Sequence, residues 1–237
     1  MNVVRRQIVR TPYGDPSGPL VVGEIGGAPV LFLPRHGPGH VLAPHRVNYR
    51  ANIWALRESG VTDIVAVAAV GGIAANVGPG VIAVPDQIID YTYGREHTYC
   101  DGSDRQVTHV DFTRPYSDEL RDQVLSAAEG ASVAVVAGGV YGATQGPRLE
   151  TAAEIVRMQR DGATLVGMTG MPEAALAREL SLRYAHLCAA SNWAAGCGDS
   201  TRAISHANID ATLDLAIGRV QEIVAHLAMA YHKRTAN

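Results

Sequence analysis

The stretch "LCAASNWAAGCGD", residues 187–199, runs as an apolar strand up to Asn192 and then turns to small residues and glycines. No Asp, Glu, Lys or Arg interrupts residues 184–191. A strand apolar on both faces belongs inside a sheet that is covered on both sides. Ligands of such sheets sit beyond the carboxyl ends of the strands. Asn192 therefore stands where a site edge is expected, and a neutral amide there, rather than a carboxylate, bears on which ligand it faces.

Outward from this strand, further short apolar runs over 20–22, 30–33, 64–69, 81–86, 131–141 and 164–168 read as strands. Helical patterns fall between or after them, over 47–58, 117–129, 150–160, 172–180 and 207–231. Pro172 near a helix start, followed by good helix formers in "MPEAALAREL", fits the preference of proline for the first helical turn. Strand–helix–strand repetition predicts an α/β fold, a single domain with a mixed, mainly parallel central sheet flanked by helices.

The composition agrees. A chain of 237 residues, 47% hydrophobic and 18% charged, suffices for one domain with a sizeable core. A net charge of −3 without a basic run argues against nucleic acid as a partner. The three cysteines, Cys100, Cys188 and Cys197, share no CxxC spacing, and their odd number argues against a disulfide framework. No apolar run reaches the ~18 residues of a membrane helix, and "MNVVRRQIVR" lacks a signal-like apolar core. The expectation is a cytoplasmic protein that does not engage membranes.

Four segments fall at expected strand ends. In "LPRHGPGH", residues 33–40, Arg35 is suited to clamp an oxyanion, or the segment is simply a surface turn that carries charge. His36 and His40 are spaced as a helical metal pair would be, but Pro38 and Gly39 argue against a helix and no third ligand is evident, so no metal is expected. In "AAVGGIAANVGPG", residues 68–80, the backbone around Gly71–Gly72 could cradle an anion or simply turn. In "TQGPRLETAAE", residues 144–154, Glu150 lies near a helix N-terminus, where the helix dipole alone would favour a carboxylate. In "LVGMTGMPEAA", residues 165–175, Thr169 could meet phosphate or merely cap the next helix. No G-x-S-x-G elbow, P-loop or G-x-G-x-x-G fingerprint is present.

Taken in order, "RHGPGH…VNYRANIWAL", "VGGI…GPG", "GPRLETAAE" and "GMTGMPEAALARE" resemble the trimeric nucleoside phosphorylase family, from about Thr11 to the last helix. This family includes purine nucleoside and methylthioadenosine phosphorylases. "GREHTY", "THVDF" and "TQGPRLET" add a likeness to its bacterial S-methyl-5'-thioinosine phosphorylases. The resemblance implies transfer of a purine ribosyl group to phosphate with inversion, needing phosphate as co-substrate and no cofactor. It implies that Arg35, His36, the backbone at Ala69 and the Thr169 hydroxyl bind phosphate, and that Met168 contacts the ribose. Val70, Leu149 and Val166 would line the purine pocket, with Glu150 and Asn192 at the base edges. His40 matches a histidine near the 5′ group. His109 matches a histidine lent to a neighbouring subunit, which implies a homotrimer.

Base selectivity follows from donors and acceptors. Methylthioadenosine phosphorylases end the corresponding strand with one aspartate and carry a second two residues on; here those positions are Asn192 and Ala194. An amide donates to O6 or N7, and the Glu150 carboxylate accepts N1–H of hypoxanthine or guanine. Adenine offers a lone pair at N1, a mismatch costing roughly 1–3 kcal/mol. The expectation is a 6-oxopurine nucleoside, with Asn192, Glu150 and His36 carrying the chemistry. Methylthioinosine is favoured by overall likeness. His206, fourteen residues after Asn192, matches the spacing of a histidine that contacts a 5′-hydroxyl, which keeps inosine and guanosine open.

Two departures from the family stand out. The family's first sheet strand and its glycine-rich phosphate loop have no counterpart in "MNVVRRQIVR", so the expected domain spans 1–237 and is N-terminally short. Ala68 stands where a hydroxyl or amide is common in the family. A phosphate-independent nucleosidase and an inactive purine binder therefore remain alternatives.

Overall fold

A computed structural model of the chain describes residues 1–100, 102, 107–201 and 206–235; the side chains of 206–211 and 235 lie outside the description. The strands are β1 (Asn2–Gln7), β2 (Leu20–Ile25), β3 (Ala28–Phe32), β4 (Asp63–Gly72), β5 (Ile82–Val84), β6 (Gln87–Asp90), β7 (Val135–Ala137), β8 (Val140–Ala143), β9 (Leu165–Gly167) and β10 (Arg183–Trp193). The α-helices are α1 (Tyr49–Glu58), α2 (Asp118–Gly130), α3 (Ala152–Arg160), α4 (Gly170–Glu179) and α5 (His206–Thr235).

The long strand β10 behaves as its sequence predicts. It pairs in parallel with β4 along its whole length, from Arg183 with Asp63 to Trp193 with Gly72. Side chains alternate between two cores, because successive strand residues point to opposite faces. Ala66, Ala68 and Val70 of β4, with Tyr184, Cys188 and Ala190 of β10, pack under α1 and α4. Val65, Val67, Ala185, Leu187 and Ala189 pack on the other face, under α2 and α5.

Two glycines overturn one expected strand. The run 131–141 is broken at Gly138 and Gly139, whose φ values of 100° and 113° an L side chain rarely adopts. A Cβ on Gly139 would also lie 2.5 Å from the Thr164 hydroxyl. The break yields β7 and β8, which pair in parallel with β5 and β6 respectively. Across it, the N–H groups of Asp86 and Gln87 donate to the Gly139 carbonyl at 3.0 and 3.2 Å.

The seven-stranded sheet has the order β6-β8-β9-β4-β10-β5-β7. Its two ends are thus adjacent lengths of one kinked strand pair, and the sheet curls round on itself. Pairing is mixed and mainly parallel, as expected; β4–β9 and β10–β5 are the antiparallel pairs.

Residues 2–7, given no element by the sequence, form β1 and pair with β2 in a separate three-stranded antiparallel sheet. No strand from residues 1–19 joins the large sheet among the described residues. A cleft of about 1260 Å³ lies between β3, the Ile64–Val67 part of β4, and Val220 and Val224 of α5.

Candidate active site

Arg35 leaves β3 through Leu33 and Pro34 and turns inward. Its Nε and Nη2 donate to the two carboxylate oxygens of Glu173 on α4, the second bond 3.0 Å long, and Nη1 donates to the Val67 carbonyl at 3.3 Å. Glu173 is only 5% exposed and also accepts the Tyr184 hydroxyl at 2.8 Å. Burial alone would make Arg35 easier to deprotonate, but the adjacent Glu173 carboxylate outweighs it and holds the guanidinium firmly charged.

Because Val67 O faces Arg35, the alternation along β4 puts the backbone groups of Ala69 on the same edge. His36, His40 and Glu173 line the same cleft as Arg35. The His36 Nδ1 lies 2.8 Å from the Leu42 carbonyl, which can only accept, so Nδ1 carries the proton and Nε2 is free. Burial, with Arg35 and His40 close by, lowers the His36 pKa below 6.5, so the ring is neutral at pH 7. The His40 ring packs on His36 at 4.4 Å between centroids.

Thr169 is the N-cap residue of α4, yet its side chain makes no capping bond. Its N–H donates to the Tyr141 hydroxyl at 3.2 Å, and its own hydroxyl is buried without a partner. A buried hydroxyl left unpaired costs about 1–3 kcal/mol. Such a group at a helix N-terminus is a place where an anion is favoured.

Asn192 ends a row of residues in register across the sheet. Gly142 of β8 is in register with Val166 of β9, Val166 with Gly71 of β4, and Gly71 with Asn192 of β10. Val70 and Val166 are each 3% exposed and pack into separate core clusters. A bulge between Ala190 and Asn192 brings Asn192 into line, and bulges of this kind re-aim side chains at sheet ends. The Asn192 Oδ1 accepts the Ser191 hydroxyl at 2.8 Å, and Nδ2 donates to the Trp193 carbonyl at 2.7 Å. One amide N–H remains available, since the NH₂ group has two.

Glu150 is not a cap. Helix α3 is capped by Thr151 and by Glu154, whose carboxylate returns to the Thr151 N–H in a capping box. The dipole role the sequence allowed to Glu150 is therefore filled by Glu154. Glu150 is half-buried, and its Oε1 accepts the Thr144 hydroxyl at 2.6 Å. Met168 packs against Gly146, where an added Cβ would lie 2.5 Å from the thioether sulfur.

Two expected residues, Leu149 and His109, are exposed in this chain, and a third lies outside the described side chains. Leu149 is 41% exposed. His109 is exposed in the segment between Val107 and Phe112. His206 begins α5, but its side chain and residues 202–205 before it lie outside the described residues. The sequence also gave no sign of a role for Glu173, Thr144 and Arg95, which bond to Arg35, Glu150 and Met168, or for Tyr184, which bonds to Glu173. "GREHTY" pointed to Arg95 only as part of a likeness; for Tyr184, an isolated hydroxyl at the start of an apolar strand carried no signal. Among the described residues no group of three His, Cys, Asp or Glu is placed to hold a metal ion.

A curled mixed sheet flanked by helices is the fold of the nucleoside phosphorylases. The description "Phosphorylase superfamily" matches residues 1–228, and the chain belongs to that superfamily. It is 55% identical over 228 residues to the "Probable S-methyl-5'-thioinosine phosphorylase" of Xanthomonas campestris pv. campestris, covering 96% of this chain and 91% of that one. It is 44% identical over 210 residues to the 6-oxopurine nucleoside phosphorylase of Pyrococcus furiosus, covering 86% and 78% of the two chains. The structure of a methylthioadenosine phosphorylase from an antarctic soil metagenomic library superposes with a TM-score of 0.91 at 35% identity, covering 98% of this chain and 80% of that one. The methylthioadenosine phosphorylase of Schistosoma mansoni in complex with adenine gives 0.92 at 29% identity, covering 98% and 87%.

Proposed function

We propose that the chain phosphorolyses 6-oxopurine nucleosides, with S-methyl-5'-thioinosine the favoured substrate, giving hypoxanthine and 5-methylthioribose 1-phosphate. The bond from the anomeric carbon to N9 breaks, an oxygen of monohydrogen phosphate bonds to that carbon from the opposite face, and the proton the phosphate gives up leaves on the purine. Phosphate is the co-substrate, and the chemistry as proposed uses no metal or organic cofactor.

The observation that carries the reading is Glu150, a half-buried carboxylate outside the helix cap with one oxygen fixed by Thr144. Its other oxygen accepts N1–H of a 6-oxopurine, while the spare N–H of Asn192 serves O6 or N7. Phosphate sits between the remaining donors of Arg35, the Thr169 hydroxyl and the Ala69 backbone. The neutral His36 accepts a phosphate O–H through Nε2. This arrangement places an anion beside the sugar as positive charge develops there, and acts by positioning and electrostatics. Both curated relatives, by their names, support a 6-oxopurine substrate.

The working form is a cytoplasmic homotrimer in which His109 enters a neighbouring site. Exposure of Val107 (68%) and of His109, in a segment this chain leaves uncovered, supports that reading. Inosine and guanosine are the competing substrates. One observation favours a second activity: Arg35 commits three of its five N–H donors to Glu173 and Val67, leaving two for phosphate. Phosphate-independent hydrolysis, or purine binding without turnover, is the corresponding alternative.

Hypoxanthine release from methylthioinosine and inosine, with and without phosphate, tests the reading. Release that requires phosphate and is faster from methylthioinosine is expected. Phosphate-independent release establishes the hydrolase, and tight hypoxanthine binding without release establishes the binder.

A further inference from the structure

Arg95 is 8% exposed and makes no ion pair among the described residues, so its charge is met by neutral acceptors. Its Nε donates to the Gln145 side-chain carbonyl at 3.0 Å. Nη2 donates to the Thr144 and Gln145 carbonyls at 3.1 and 2.9 Å. Nη1 donates to the Met168 and Met171 carbonyls at 2.9 and 2.6 Å and to the Tyr49 hydroxyl at 3.2 Å. A guanidinium has five donors in a planar fork, and here all of them are used.

The acceptors belong to two different walls of the site. Thr144 and Gln145 lie in the loop whose Thr144 hydroxyl fixes Glu150, the carboxylate assigned to the purine. Met168 and Met171 flank Thr169 and Gly170, where phosphate and ribose are assigned. The backbone here also contains a direct link, since Thr144 N–H and its hydroxyl both reach the Gly167 carbonyl, at 2.8 and 3.3 Å. That link aligns the strand ends β8 and β9, but not the loops beyond them. Past the strand ends, Arg95 bridges the loops, and the acceptor-only carbonyls offer it no substitute partner.

We infer that Arg95 is the positioning residue that sets the distance between the purine wall and the phosphate–ribose wall. It acts on the chemistry through Thr144–Glu150 on one side and the turn around Thr169 on the other, and touches no reacting atom. The inference rests on the assignment of the two walls made above. Lysine at this position keeps the charge but cannot span both walls, because its three donors radiate from one point. Misplacement of reacting groups by about 1 Å costs on the order of 100-fold in rate.

The test uses Arg95→Lys, Arg95→Gln and the milder Gln145→Leu, which removes one of Arg95's acceptors together with that oxygen's 3.2 Å bond from the Tyr93 N–H. Per folded molecule, Arg95→Lys is expected to lower kcat 30- to 100-fold, with the separate dissociation constants of hypoxanthine and phosphate changed less than threefold. A general structural role would lower the folded fraction and leave kcat per folded molecule intact. Amide hydrogen exchange supplies an arm independent of turnover: residues 144–150 and 168–172 are expected to lose protection together while β4 and β10 keep theirs. Should both Arg95 variants fail to fold, Gln145→Leu is read in the same two ways, with a smaller fall in kcat. The inference is overturned by kcat per folded molecule within threefold of the parent, or by loss of protection in only one loop or in neither. Failure of the parent chain to turn over nucleoside refutes the proposed function instead, and the exchange arm still decides on Arg95.

Discussion

Asn192 is in register with Gly71 of the neighbouring strand, one residue beyond a bulge that makes two residues of β10 oppose one of β4. A Cβ at position 71 would be tight, 3.2 Å from Val166 Cγ1 and 3.4 Å from Ala194 Cα. The amide therefore sits at the end of a crowded row, held by Ser191 and Trp193 on either side.

Replacing that amide by a carboxylate should shift base preference. Asn192→Asp loses the donor to O6 or N7 and gains an acceptor for a 6-amino group. A mismatch of about 1–3 kcal/mol corresponds to a fall of roughly 10- to 100-fold in the ratio of kcat/KM for methylthioinosine over methylthioadenosine. Release of hypoxanthine and adenine, followed side by side, measures it.

Thr144→Val keeps the shape of a side chain that is 8% exposed and removes the 2.6 Å bond to Glu150. Loss of one charge-assisted hydrogen bond, about 1.5–3 kcal/mol, should lower kcat/KM for methylthioinosine by 10-fold or more. A parallel titration with phosphate should show its KM nearly unchanged.

Glu173 and Arg35 form a buried pair, so removing one partner strands the other charge. Glu173→Leu should cost about 3–5 kcal/mol of stability. Tyr184→Phe, which removes only the hydroxyl bonded to Glu173, should cost about 1 kcal/mol. Urea unfolding of the two variants gives both values.

His186 lies fully buried between the Tyr141, Tyr116 and Tyr184 rings, with both ring nitrogens unpartnered. Burial pushes its pKa down to about 3, from the ordinary 6.5. Between those values the unfolded chain binds a proton that the folded chain refuses. Stability from this residue is thus fully present above pH 6.5 and falls as the pH drops toward 3. His186→Phe should move the midpoint of acid unfolding to lower pH, read by circular dichroism across pH 3–7.

The strand at 184–191 was legible because apolar residues on both faces leave one reasonable place for it, between two helical layers. The helices α1 to α4 were legible to within two residues at each start, from their helical patterning. The break at Gly138–Gly139 was not, because paired glycines in an apolar run are compatible with a strand until Thr164 comes close. Strand β1 was missed because "NVVRRQ" has no buried face; all but its last residue are exposed.

For the site, residue types at strand ends gave candidates that could equally be turns or caps, and only the likeness of four motifs in order to the nucleoside phosphorylases implied phosphate and purine roles for them. Tertiary structure decided what those residues are free to do. It committed Arg35 to Glu173, 138 positions away, released Glu150 from the helix cap, and set Arg95 against carbonyls 49 to 76 positions distant. Local periodicity reports which face of an element is buried. It carries no information on which distant carbonyl a buried cation will meet, because that is settled only when the sheet has curled and the loops beyond its ends are brought together.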